Sequence, residues 1–225
     1  MKFSNEILAA CVVAGMATSA FAQDAGDFYG GVEVLNFQWS DTDGDDSQEA
    51  FSKGFRATVG YNFSQTSGVR LRAFQFSAVD DDNVLDTLDI VTKDLEFVSQ
   101  FAIGETIDAE FSAGIRHLEM DAPTGRWEGS VGPVVAAKLT SALGSGFGIY
   151  GGVRSSIVFG DDAIEDHPQQ IAITELGTGV SWEKDLSVGT LGLNLGVESH
   201  QYQSVRDDEE DYGLLGLALE ASFSF

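Results

Sequence analysis

From Phe55 to Ser64 the chain alternates without a break: Phe55, Ala57, Val59, Tyr61 and Phe63 fall on one face, Arg56, Thr58, Gly60, Asn62 and Ser64 on the other. A strict two-residue period is the signature of a β-strand with one apolar and one polar face. The same period returns from Ile107 to Arg116, where Ile107, Ala109, Phe111, Ala113 and Ile115 oppose Asp108, Glu110, Ser112, Gly114 and Arg116. It returns again in Leu191, Leu193, Leu195 and Val197, and in the closing run Leu215, Leu217, Leu219, Ala221, Phe223, Phe225. No apolar run reaches the roughly 20 residues that a helix needs to cross a bilayer, so a bundle of membrane helices is excluded. Ten segments qualify as strands: 27–39, 51–64, 68–79, 88–101, 107–119, 127–142, 147–160, 169–184, 189–202 and 212–225. In the first, Val32 and Val34 support one facing and Leu35, Phe37 and Trp39 the other, and its facing stays open.

The connections discriminate further. Short turns at Gln65–Gly68, Gly104–Thr106, Ala142–Gly146 and Asp185–Gly189 alternate with longer acidic loops. A soluble β-sandwich gives no reason for loop length to alternate so regularly. A closed antiparallel transmembrane barrel does, with tight periplasmic turns and longer outside loops. The expected fold class is therefore all-β, a single barrel of about ten strands, with eight or twelve as the alternatives.

The chain has 225 residues, with 36 acidic against 12 basic side chains and a formal charge of −24. Nucleic acid is excluded as a partner, because holding a polyphosphate backbone takes clustered Lys and Arg. A hydrophobic content of 43% is too high for a disordered acidic chain. At the N-terminus, Lys2, the apolar stretch Ile7–Ala17 and Ala20-Phe21-Ala22 predict a cleaved secretory signal peptide over 1–22, leaving 23–225 as the barrel. Leu8-Ala9-Ala10-Cys11 also spells a lipoprotein box, but its cysteine falls too early in the apolar region. Cys11 is the only cysteine, so disulfides play no part in the barrel.

In a membrane barrel the apolar face meets lipid and the polar face lines the lumen. On this phasing the pore-lining set is Arg56, Arg70, Arg72, Asp94, Glu96, Glu110, Arg116, Arg154, Glu175, Glu198 and Glu220, with Asp108, Glu128, Lys138 and Glu183 alongside. The arginines of the second and third strands are expected to face the carboxylates of the fourth. Two outcomes stand side by side: a plug, in which these charges pair and fill a narrow barrel, or a water-filled pore whose charged walls select ions. Lys93 falls on the lipid phase, either snorkelling to an interface or marking a slip of register.

The outside loops carry Asp41, Asp43, Asp45, Asp81, Asp82, Asp161, Asp162, Asp207, Asp208 and Glu209 among their acids. Such a mouth attracts cations, less so at high salt, though simple solvation of loops accounts for it equally. Asp41-Thr42-Asp43-Gly44-Asp45 invites a calcium reading, but Asp46 and Ser52 stand where an EF-hand loop needs Gly and Glu. No metal or cofactor is expected. His117, His167 and His200 lie near the predicted outer rim among acids, a proximity expected by chance, and no nucleophile elbow or zinc-ligand spacing supports an enzyme.

Gly54-Phe55-Arg56, Gly60-Tyr61, Val69-Arg70-Leu71-Arg72 with Phe74-Gln75-Phe76, Leu88-Asp89-Ile90 and Asp94-Leu95-Glu96 follow one another in a familiar order. So do Glu128-Gly129, Gly132-Pro133, Ile149-Tyr150-Gly151 and Arg154-Ser155-Ser156, then Glu175-Leu176, Gly179-Val180, Trp182, Gly196-Val197-Glu198 and Tyr212-Gly213-Leu214-Leu215-Gly216. Across nearly the whole predicted mature chain this resembles the Legionella-type pore-forming major outer-membrane protein family. The resemblance implies a porin-like outer-membrane barrel that admits small hydrophilic solutes and associates as an oligomer. This chain departs from that pattern by its compact loops and its room for only about ten strands, whereas roomy channels belong to barrels of about sixteen.

Two functions follow as expectations. One is a narrow, cation-preferring channel for passive diffusion of small hydrophilic solutes. The other is a closed structural or adhesive barrel whose acidic loops bind divalent cations, envelope sugars or a partner. The expected surroundings are outer-membrane lipid and lipopolysaccharide, with the barrel-assembly machinery recognising the terminal Phe225.

Overall fold

The computed structural model describes residues 26–41, 51–79, 87–122, 125–162, 168–204 and 211–225. All ten segments are strands: β1 (Asp27–Asp41), β2 (Ser52–Ser64), β3 (Ser67–Val79), β4 (Thr87–Ile103), β5 (Ile107–Ala122), β6 (Gly125–Gly144), β7 (Phe147–Asp162), β8 (Pro168–Leu186), β9 (Gly189–Ser204) and β10 (Tyr212–Ser224). Each pairs antiparallel with its chain neighbours, and β1 closes on β10 from Tyr29↔Ser224 to Asp41↔Tyr212. A closed sheet has no free edge, so every strand spends its backbone N–H and C=O groups on a neighbour. Four tight connections mark one rim, the turn rim. At the β6–β7 connection Gly144, Ser145 and Gly146 all take positive φ (101°, 55° and 80°), which the flanking glycines adopt without a Cβ clash.

Along each strand the side chains alternate as the period predicts. Phe55, Phe111, Leu193 and Leu217 point out and are 40–52% exposed, while Arg56, Arg70, Arg116 and Arg154 point in and are at most 8% exposed. The ambiguous first strand has a single facing: Val32 and Val34 lie outside, Leu35, Phe37 and Trp39 inside. Both sets are apolar because the polarity of the two faces exchanges part-way along the strand.

That exchange runs through most of the barrel. On β4 the outward residues are Leu95, Phe97 and Phe101 towards the turn rim, then Lys93 and Asp89 towards the loops, while the inward ones pass from Glu96 and Asp94 to Ile90 and Leu88. On β9, Leu193, Leu195 and Val197 give way outside to Ser199, Gln201 and Gln203, and Asn194 and Glu198 give way inside to His200 and Tyr202. The apolar outer stretch covers Leu95–Ile103, Ile107–Ile115 and Leu215–Phe225 on β4, β5 and β10. At about 3.3 Å per residue and a tilt of about 40°, ten such residues form a belt about 25 Å tall, the height of an outer-membrane barrel's lipid face. With β6 at 20 residues and β8 at 19, these strands run well past such a belt at the loop end.

Candidate functional site

The lumen divides at the level where the outer belt ends. At that level four arginines and four carboxylates form one connected network, and Arg56 forms a second group beside it with Glu33 and Glu198. Arg116 from β5 lays its guanidinium against both oxygens of Asp94 at 2.8 Å and reaches Glu175 on β8 at 2.6 Å. Arg154 from β7 bonds Glu96 and reaches Asp94 at 3.2 Å. Arg72 from β3 donates across the lumen to Glu175 at 3.0 Å, and Arg70 bonds Glu96 and Glu110, each at 2.6 Å. Arg56 bonds Glu33 on β1 and crosses to Glu198 on β9 at 2.8 Å. Arg116, Asp94 and Glu96 have side chains with no exposure at all. Bidentate, mutually shared pairs of this kind are the arrangement in which buried charges recover their desolvation cost.

The ladder expected between strands two or three and strand four is half present. Arg70 and Arg72 do meet Glu96 and Asp94 of β4, but Arg56 turns the other way, to β1 and β9. Glu33 completes that pair, and the open facing of the first strand had hidden it. Glu220 lies on the same inner wall and accepts from Asn194 at 2.7 Å, and Lys138 sits 5.0 Å over the Tyr150 ring. Glu128, placed in the lumen by simple alternation, instead stands at the outer surface, bonded to Arg126 at 2.8 Å. The cause is a bulge: the β6–β7 register slips between Glu128 and Val131, with Gly129 at φ 69°, and the extra residue reverses the facing.

Towards the loop rim the described residues form no such charged network. The lumen there is filled by Leu35, Phe37, Trp39, Phe74, Phe76, Leu88, Ile90, Leu118, Met120, Trp127, Ile171, Ile173, Tyr202, Tyr212 and Leu214, a single packed cluster. The expectation that Phe and Leu face outward and charges inward is corrected here. Leu35, Phe37, Leu88, Ile90, Leu118 and Ile173 have 0% exposure, so water touches none of these six side chains. His200 closes the underside of this cluster, its ring 5.0 Å from Phe37 and 5.3 Å from Phe74, its Nε2 3.1 Å from Glu198. At 1% exposure it is sealed from any substrate.

Towards the turn rim the network faces open space. A cavity of about 150 Å³ is bounded by Arg56, Thr58, Arg70, Arg72, Lys138, Tyr150, Arg154, Glu198 and Glu220. A second, of about 140 Å³, lies at the mouth between Asp108, Thr140, Ser181 and Glu183. Glycines seat the Tyr150 ring that borders the first cavity: Gly179 and Gly196 pair across β8 and β9, and the Tyr150 hydroxyl lies against both where a Cβ would stand.

Lys93 is on the outer face, 3.1 Å from Glu119, with no register slip in β3–β4 or β4–β5 pairing. His117 is its outer neighbour across β5, also beside Glu119. Asp43, Asp45, Asp81, Asp82, Asp207, Asp208, Glu209 and His167 lie outside the described residues, as does most of the calcium candidate. Asp41, Asp161 and Asp162 end β1 and β7. Among the described residues no three His, Cys, Asp or Glu side chains are placed to hold a metal ion.

No family model and no curated protein matches the chain. Among solved structures it is similar to Ail, the attachment invasion locus protein of Yersinia pestis, at 14% identity and a TM-score of 0.40, covering 89% of this chain and 99% of that one. It is also similar to Neisserial surface protein A (12%, TM-score 0.41, 88% and 99%) and to OprG, an outer membrane protein of Pseudomonas aeruginosa (13%, TM-score 0.39, 88% and 97%). Neither the identities nor the superpositions are high enough to carry those proteins' roles over to this chain.

Proposed function

We propose that the chain is an outer-membrane barrel closed to solute flow, anchored by its apolar belt, whose work is done at the loop end as a surface-presenting, structural or adhesive protein. The observation that carries this reading is the packed apolar cluster across the loop half of the lumen, whose central side chains water does not touch. A charged network alone would leave the narrow, cation-preferring channel equally favoured, since charged walls can conduct. An apolar stopper stacked on that network favours closure, because dewetted constrictions block ions. The belt of about 25 Å supports placement in the outer membrane, where the turn rim faces the periplasm and the loops face out. No enzymatic step is assigned: His200 is walled in, and His117 lies on the outer surface beside an ion pair.

The test is single-channel recording of the refolded chain in a planar bilayer under a salt gradient, with folding verified by a heat-dependent shift in gel mobility. The expected result is silence from folded barrels. Steady steps would overturn closure, and their reversal potential would then measure the cation preference directly.

A further inference from the structure

The cavity of about 150 Å³ on the turn side of the network is lined by five cationic and five carboxylate side chains, so its charge is balanced as a whole. Two poles of opposite sign stand apart within it. Glu33 on β1 and Glu220 on β10 are cross-strand partners that both line the cavity, and Glu198 of β9 lines it beside them. One guanidinium, Arg56, serves Glu33 and Glu198, while Glu220 takes the neutral amide of Asn194 at 2.7 Å. Like charges placed directly opposite one another on a sheet repel. On the far side stands Lys138 of β6, five strands from β1 whichever way the ring is followed. Its cross-strand partner is Glu110, but Glu110 is held by Arg70 at 2.6 Å and by Gln100 at 3.1 Å. Among the described residues Lys138 makes no ion pair, and its ammonium lies 5.0 Å over the Tyr150 ring. That ring forms a wall from one pole to the other, since the Tyr150 hydroxyl lies in the field of Glu198, Glu33 and Glu220.

We infer that this cavity binds a small zwitterion of the amino-acid class, its carboxylate on Lys138 and its ammonium between Glu33 and Glu220. The balanced lining disfavours a plain ion, which would leave one pole unmet and bring net charge into a confined space. A zwitterion meets both poles and brings none. Its ammonium relieves the repulsion between Glu33 and Glu220, and each end makes a charge-assisted hydrogen bond. Size narrows the class: a cavity of about 150 Å³ takes a molecule such as benzene, with about six non-hydrogen atoms, which admits glycine, alanine or serine and excludes peptides. The cavity lies towards the turn rim, so the occupant arrives from the periplasmic side and, with the loop half of the lumen packed, is held rather than passed. That direction of entry rests on the closed, membrane-spanning placement proposed above; the binding itself does not.

The test is isothermal titration of the folded chain in detergent micelles with three probes of similar size: alanine, which carries both charges, and acetate and ethylammonium, which carry one each. Alanine is expected to saturate with a dissociation constant on the order of 1 mM or below, within reach of a ligand of about six atoms. It should bind about tenfold more tightly than either single ion, the worth of one charge-assisted hydrogen bond. Lys138→Met should weaken alanine about tenfold and leave ethylammonium equal or tighter, while Glu220→Gln should weaken alanine about tenfold and leave acetate equal or tighter. That crossed pattern separates a lost contact from a lost fold, which would abolish every signal alike. Glu119→Gln on the outer surface should change none of the three. Absence of saturable alanine binding by about 10 mM overturns the inference. So does acetate or ethylammonium binding as tightly as alanine, or a Lys138→Met barrel that keeps the full alanine affinity. Channel steps in the bilayer recording would break closure and leave these affinities where they are, so the two readings fail separately.

Discussion

The two halves of this barrel are built from the same strands and obey opposite rules. Towards the turns, Leu95, Leu195 and Leu217 lie outside and Asp94, Arg116 and Glu175 inside; towards the loops, Gln201 and Lys93 lie outside and Phe37, Ile90 and Ile173 inside. The turn half is organised as a barrel in hydrocarbon, the loop half as a soluble β-barrel with its own core. A hydrophobic side chain reports only which face is away from water. Where the surrounding solvent changes, the face it marks changes as well.

The comparison can be broken at its centre. Asp94 holds Arg72, Arg116 and Arg154 together, so Asp94→Leu takes one partner from each of three buried cations, which keep only Glu175 or Glu96, and should cost roughly 3 to 5 kcal/mol, the range for one broken buried pair. Denaturant unfolding in vesicles reads that loss, and a change under about 1 kcal/mol would mean the network is solvated. In the loop half Phe37→Ala should cost about 3 to 4 kcal/mol by the same measurement, as in any water-soluble core. The boundary itself is sharpened by one residue type placed on either side of it along β9. Leu195→Arg should destabilise by about 2 to 4 kcal/mol near the bilayer midplane, and Gln201→Arg by less than about 0.5. Equal costs would erase the boundary. Smallest of all, Glu119→Gln removes an exposed ion pair with Lys93 and should change stability by about 0.5 kcal/mol or less, an effect that disappears in high salt.

Much of this was legible from residues alone. All ten strands follow from the two-residue period, within about three residues at each end, because alternation survives whichever solvent lies outside. The inward aim of Arg56, Arg70, Arg72, Arg116 and Arg154 follows too, since each opposes an apolar outer neighbour. The inverted half was written in the first strand, where Val32 and Val34 disagree in phase with Leu35, Phe37 and Trp39; one fixed rule for apolar residues turned that into an ambiguity. Glu128 escaped because a bulge needs only one extra residue and leaves the local pattern plausible. The bond from Arg56 to Glu198 spans 142 positions and depends on how far the strands are staggered around the barrel, which no local pattern encodes.

The polar collar above the belt also bears on how such a protein reaches its place. To stand on the far side of a bilayer, Lys53, Lys93, Arg126 and their neighbouring acids and amides must traverse hydrocarbon that charges at least three of them about 2 to 4 kcal/mol apiece at mid-depth. That is a barrier on the order of 10 kcal/mol from the cations alone, so spontaneous insertion into a thick, intact bilayer should be slow. Thinned or defect-rich membrane, or a dedicated insertion catalyst, becomes a kinetic requirement imposed by the collar.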